Sequence, residues 1–526
     1  MTAPAILLAA CSGPPQIVAI EPVVGAPDVA SNAPVSIRFD RPMDRASVEA
    51  RFHLSPSADG RVRWLSDRAM EYDHPSLTPL TMYRAILEGG YRAVDGSVDG
   101  LRHSWTFTTE GPPVLSATTP GAGDTGVDPS TYVALDFSRP MNVGSLASAV
   151  SLSPAIGFQL LQDPADSRRV IVAPQALLDT NAPYSLTVTA AALDVNGNHL
   201  QAGTTIEFHT GRLQRLQHWI GFVAQPLTGG GTSAVWIVNE ARLPRQVLGG
   251  SAAAFNWSSA GDRMLVRSDA GEWSDAALDG ASKQLPFTAV WAAYLAPGRG
   301  YAYLDSGRLR LLQPDGQMRE VEVGVAAAAV SPDGTTIAFA TIAGPGATIF
   351  AYNVDLRSLS RLQVEPGAVD GLAWAPDGQS LAYRVAAERS GQGVIRARFL
   401  RGSTQVVTVA TGAVGPPAWQ ADSRHVFFTA SVDTPAGPVP KAFRLAAGDQ
   451  PPSRLTAAAG LPAGGTVAVD QLDPSPDGHE VAFISSSSGT AQVWVMNADG
   501  SGLTQLTRYG ENGFAYQSAE AAWTPT

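Results

Sequence analysis

Pro474-Ser475-Pro476-Asp477-Gly478-His479-Glu480-Val481-Ala482-Phe483 decides how the larger part of this chain is read. Proline presets φ for a turn, aspartate bonds nearby backbone amides, and glycine accepts positive φ. The apolar run after the turn has the length of one strand. The unit recurs at Phe255-Asn256-Trp257-Ser258-Ser259-Ala260-Gly261-Asp262, Val330-Ser331-Pro332-Asp333-Gly334, Trp374-Ala375-Pro376-Asp377-Gly378 and Trp419-Gln420-Ala421-Asp422-Ser423. A degenerate copy stands at Leu295-Ala296-Pro297-Gly298, and Trp523-Thr524-Pro525 comes last. With residues 259, 297, 332, 376, 421, 476 and 525 as equivalents, the spacings are 38, 35, 44, 45, 55 and 49. That is the period of a four-stranded propeller blade, with the turn joining its innermost strand to the second.

Ile337-Ala338-Phe339, Leu381-Ala382-Tyr383, Val426-Phe427-Phe428 and Val481-Ala482-Phe483 supply second strands, and Gln492 to Asn497 a third. The Ser-Pro-Asp-Gly-x-x-(Ile/Val)-Ala-Phe unit, with Val495-Met496-Asn497-Ala498-Asp499-Gly500 running on to Thr507, resembles the TolB-like propeller repeat over residues 212–526. Three strands precede the first repeat and a lone innermost strand, 519–523, ends the last. Pairing 519–524 with a strand near 217–224 completes one blade and removes two exposed sheet edges. Seven blades are favoured, with six or eight as alternatives where the third and sixth repeats are irregular.

Upstream, Val35-Ser36-Ile37-Arg38-Phe39-Asp40-Arg41-Pro42-Met43-Asp44 is echoed at an offset of 98 by Val133-Ala134-Leu135-Asp136-Phe137-Ser138-Arg139-Pro140-Met141-Asn142. The same offset carries Leu54-Ser55-Pro56 onto Leu152-Ser153-Pro154, and an offset of 101 carries Phe107 onto Phe208. Apolar residues alternate within each copy, which marks half-buried antiparallel strands. Pro42 and Pro140 end their strands, and the following Met turns between the sheets. Some seven strands in about 100 residues make a β-sandwich. The F-(D/S)-R-P-M signature, the Tyr83 and Tyr184 strands and the closing Thr-Phe-Thr-Thr or Glu-Phe-His-Thr resemble the SbsA-type bacterial Ig-like domain. That resemblance implies a surface or secreted bacterial protein in which such domains serve as spacers or adhesive modules. The expected organisation is all-β: a signal remnant and linker at 1–15, sandwiches at 16–110 and 111–211, and a C-terminal propeller at 212–526.

The chain has 526 residues, 44% apolar and 16% charged, with 52 Gly and 39 Pro, a composition of folded domains interrupted by many turns. A net charge of −11, with no basic run longer than Arg168-Arg169, argues against nucleic acid as a partner. The single cysteine, Cys11, excludes an internal disulfide and any multi-cysteine metal site. Ile6-Leu7-Leu8-Ala9-Ala10-Cys11 resembles a bacterial lipoprotein processing site with Cys11 as the lipidated residue. Only ten residues precede it and none is basic, shorter than a full leader, so the expected true start lies upstream. The expected location is extracytoplasmic, with the membrane reached through the lipid alone.

No HExxH, GxSxG or Walker loop is present, so no enzyme, cofactor or metal is expected. Asp194, Asn196 and Asn198 form a turn with too few carboxylates for a calcium shell. Propellers of this repeat type also precede hydrolase domains in prolyl-oligopeptidase-like enzymes. Here the repeat ends at its closing strand, and none is expected to follow. True TolB has an N-terminal α/β domain where this chain has two sandwiches, so the Tol-system role does not transfer. Trp257, Trp374, Trp419 and Trp523 share one register, which favours packing between blades over a ligand-stacking ring. The face opposite the short turns carries the longer loops 225–232, 386–393, 430–440, 457–466 and 508–517. Binding surfaces lie on such loops. The candidate binding residues are Arg389 in the second of these loops and Tyr509, Glu511, Asn512, Phe514 and Tyr516 in the last, with envelope protein or glycan as the partner. A purely structural spacer and an unrecognised enzyme or accessory subunit are the competing readings.

Overall fold

The computed structural model describes residues 13–213, 216, 218–227, 231–279, 281–344, 346–386, 393–400, 406–434, 437–447, 469–511 and 514–525. Two compact units make up the chain, one holding the sandwich sheets through His209, the other holding the propeller from Thr210.

In the first sandwich, strands Ile17–Glu21, Val35–Phe39, Ala69–Asp73 and Arg61–Trp64 form one sheet. Ala26–Val29, His103–Thr109, Met82–Leu87 and Phe52–Ser55 form the other. Val35, Ile37 and Phe39 alternate inward onto Met43, Tyr83, Trp105 and Phe107, all buried. The second sandwich repeats this with a four-stranded and a three-stranded sheet. Duplication reaches side-chain detail. Tyr83 stacks on Phe107 at 5.9 Å, and Tyr184 on Phe208 at 5.8 Å.

Each strand stops before its proline as expected, but the sequence reading missed the short helices that follow, Arg45–Glu49 and Val143–Ala149. Their caps are duplicated too: Asp44 accepts from the Ser47 amide and Asn142 from the Ser145 amide. Both pairs are N-cap spacings visible in the sequence. The helices seat Met43 and Met141, each 2% exposed, between the sheets.

The turn at 194–198 does more than reverse the chain. Asp194 Oδ1 accepts from the amides of Asn196 and Asn198, and Gly197 takes φ +86°. Both asparagine side chains donate to Oε1 of Glu110, at 2.7 and 2.8 Å. Arg139 bonds the other oxygen of Glu110 at 2.7 Å. Glu110 is 2% exposed in the linker between the sandwiches, so these bonds hold a buried charge that would otherwise be strongly unfavourable. Among the described residues no cluster of three metal-ligating side chains occurs.

Among the described residues the second unit forms a ring of seven blades. Innermost strands are Ala254–Trp257, Trp291–Tyr294, Val325–Val330, Val369–Trp374, Ala418–Trp419 and Asp470–Pro474, with Tyr516–Trp523 completing the first blade. That last strand lies antiparallel on Ile220–Pro226, in register from Ile220 opposite Trp523 to Pro226 opposite Tyr516. The expected closure is present, shifted toward the chain's interior by two or three residues. In the sixth blade three strands fall within the described residues.

Short turns behave as their residues require. Asp333 accepts from the Ser331 hydroxyl and the Thr335 amide, and Asp477 from Ser475 and His479 in the same way. The tryptophan register packs between blades. The indole N–H of Trp374 donates to Ala329 O, Trp419 to Ala373 O and Trp257 to Ala522 O, each a carbonyl of the preceding blade.

Candidate functional site

Of the residues expected to bind ligand, Cys11, Arg389 and Asn512 lie outside the described residues, as do all of 457–466 and parts of the other long loops. Tyr509 is 47% exposed. Glu511 is exposed and paired with Arg508 at 3.2 Å. Phe514 requires a correction. It is 2% exposed, its ring 5.9 Å from Phe222 and 5.5 Å from Trp236. Tyr516 is half-buried and packs on Trp236 at 5.4 Å. The cause is local: Tyr516 opens the closing strand, and Phe514 fills the core of the blade which that strand completes. Sequence composition does not distinguish an aromatic that ends a loop from one that begins a core strand.

On the same long-loop face is a cavity of about 690 Å³ at the junction of the sixth, seventh and closing blades. Gln225, Gln471, Gln517, Ser518, Thr429 and Ser431 give it polar groups, and Val414, Pro416, Pro440 and Ile484 give it apolar ones. Among the described residues no charged side chain lines it. Gln517 Nε2 donates to Gln225 Oε1 at 3.2 Å, and Gln471 Oε1 accepts the Glu520 amide at 3.0 Å. The second atom of each amide group has no partner among the described residues. From Ser518 in the wall a buried hydrogen-bonded chain runs back to Thr507 and Gln492, with Thr507 donating to Gln492 at 2.7 Å. A satisfied buried network of this kind holds its residues in one arrangement.

Backbone register explains the position of Gln471. Gly371, Gln471 and Glu520 each stand five residues before the equivalent turn position, and take φ of +60°, +51° and +54°. Ladder register breaks at each of the three points, so each is a bulge on the innermost strand. A side chain at Gly371 would meet Pro416 at 2.6 Å, which requires glycine there. Left-handed backbone in non-glycine residues is strained, and such strain persists where the surroundings over-determine it. Deeper in the channel wall, Asp473 accepts the Trp523 amide at 2.6 Å. Burial pushes its carboxyl up to about 7, against that one hydrogen bond pulling it down. Burial also raises Glu520, partly offset by Arg267. None of these positions stood out in the sequence, although the repeat spacing contained the signal.

Residues 12–109 and 110–210 each match the bacterial Ig-like domain family, so the first part of the chain is two such domains in tandem. Joined to them is a β-propeller closed by its own last strand. Among solved structures it is similar to the putative TolB from Agrobacterium tumefaciens, at 16% identity, covering 58% of this chain and 94% of that one, with a TM-score of 0.37. TolB from Acinetobacter baumannii is 13% identical, covering 73% and 86%, TM-score 0.36. A putative 6-phosphogluconolactonase from Bacteroides uniformis is 13% identical, covering 59% and 99%, TM-score 0.39. No curated protein matches the chain. No helix among the described residues is long and apolar enough to cross a membrane.

Proposed function

We propose that this chain is a non-enzymatic extracytoplasmic binding or scaffold protein, lipid-anchored through Cys11, which takes an envelope protein or glycan at the long-loop mouth of its propeller. One observation carries the reading: a cavity of about 690 Å³ lined by three glutamines and, among the described residues, by no charged side chain. Amide donors and acceptors facing a neutral, partly apolar hollow recognise hydrogen-bonding ligands of low charge, such as extended peptide or hydroxyl-rich glycan. Support also comes from the closed ring beneath, which fixes the lining in place, and from the Ig-like domains, which suit a reach outward from an anchor.

The experiment is capture from envelope fractions by the intact chain and by a Gln471→Ala, Gln517→Ala double variant. The expected result is a partner retained by the native chain and lost from the variant. Equal capture by both overturns the site. Labelled palmitate that is still incorporated after Cys11→Ala overturns the anchor.

A further inference from the structure

We propose that the opposite, short-turn mouth of the propeller channel binds an alkylated ammonium cation. A second cavity, of about 350 Å³, lies there among the innermost strands of the second, third and fourth blades. Three aromatic residues line it, Trp257, Trp291 and Tyr294, and among the described residues its sole charged lining residue is Asp333. Among the described residues no Lys, Arg or His is in the wall.

Each of these parts is held by the fold rather than by the cavity. The Tyr294 hydroxyl donates to Asp275 at 2.7 Å, which anchors its ring from the far end. Trp257 is wedged edge-on to Phe255 at 5.9 Å, with its N–H on Ala522 O at 3.4 Å. Asp333 is bonded by Ser331 and Thr335, and these bonds hold its carboxyl below the usual range, so it is ionised at neutral pH. Asn256 donates through Nδ2 to Ala292 O at 2.7 Å, which leaves Oδ1 as an acceptor.

The chemistry of that set selects a cation. An aromatic ring presents a negative face, and a desolvated cation near several rings gains more than a neutral group of the same shape. An anion would meet Asp333 with no positive group among the described wall residues to offset the repulsion. The net charge of −11 adds a long-range field of the same sign preference. Quaternary and tertiary ammonium groups fit best, because their methyl shell suits aromatic walls and a single carboxylate matches their one charge. This proposal does not depend on the glutamine-lined mouth.

The test uses the full chain with choline as probe, read by calorimetry and by tryptophan fluorescence. Saturable binding is expected, with the neutral isostere 3,3-dimethylbutanol weaker by about ten-fold. Trp291→Leu should weaken choline by about ten-fold, and Asp333→Asn, which keeps the turn, by a few-fold with a reduced salt dependence. Circular dichroism of both variants confirms that the ring is intact. Equal affinity for the neutral isostere overturns the proposal, as do unchanged binding in both variants, absence of saturable choline binding, or tighter binding of N-acetylglucosamine than of choline.

Discussion

Asn198 Nδ2 lies 2.8 Å from Oε1 of Glu110, tying a loop of the second Ig-like domain to the linker that leaves the first. Asn196 and Arg139 bond the same carboxylate, and all of it is buried or partly buried. Replacing Glu110 by Ala removes the acceptor shared by four donors, the Ser31 amide and the side chains of Arg139, Asn196 and Asn198. The expected loss is about 3 kcal/mol in the sandwich unfolding transition, measured by chemical denaturation of the full chain. Asn198→Ala should lose about 1–2 kcal/mol, and the double variant less than the sum of the two. Strict additivity would show that the joint is not coupled.

Closure of the ring is tested by truncation. Removal of residues 515–526 takes away the strand paired with Ile220–Pro226 and exposes two sheet edges. Calorimetry should show the propeller transition lost or strongly lowered, with the sandwich transition retained. A propeller transition at its native temperature would argue that the last strand only decorates a ring closed in another way.

Phe514 separates core from surface in the 508–517 loop. Phe514→Ala should destabilise the propeller by about 3–5 kcal/mol through the cavity it leaves against Phe222 and Trp236. Tyr509→Ala, at a side chain 47% exposed, should change stability by less than about 0.5 kcal/mol. Similar melting temperatures for the two variants would contradict the packing.

Asp473 predicts the direction of a pH effect. Its carboxyl is raised from 3.8 to about 7 in the fold. Between those values the folded chain holds a proton that the unfolded chain has released, so stability falls as pH rises through this window. The penalty is complete above pH 7 and amounts to about 4 kcal/mol at most. Asp473→Asn keeps an oxygen for the Trp523 amide and removes the charge. The variant should melt several degrees higher than the native chain at pH 8 and at nearly the same temperature at pH 4. A variant less stable at pH 8 would show that the hydrogen bond outweighs the buried charge.

Local and periodic features of this protein were legible in its sequence. The 98-residue echo defines two sandwiches, because alternation and strand-ending prolines act over a few residues. The spacing of Ser-Pro-Asp-Gly turns defines the blades, since each turn is built from its own side chains. Even the closing strand followed from counting strands and asking which edges were left unpaired. What only the tertiary structure decided depends on residues far apart in the chain. Glu110 meets Asn196 and Asn198 across 86 and 88 positions, Gln225 meets Gln517 across 292, and Asp473 meets Trp523 across 50. Phe514 is core because Phe222 and Trp236 arrive beside it when the ring closes. Side-chain identity sets what a residue can do, but burial and partner are properties of the closed ring, and they moved the candidate site from the aromatic loop to the glutamine-lined mouth.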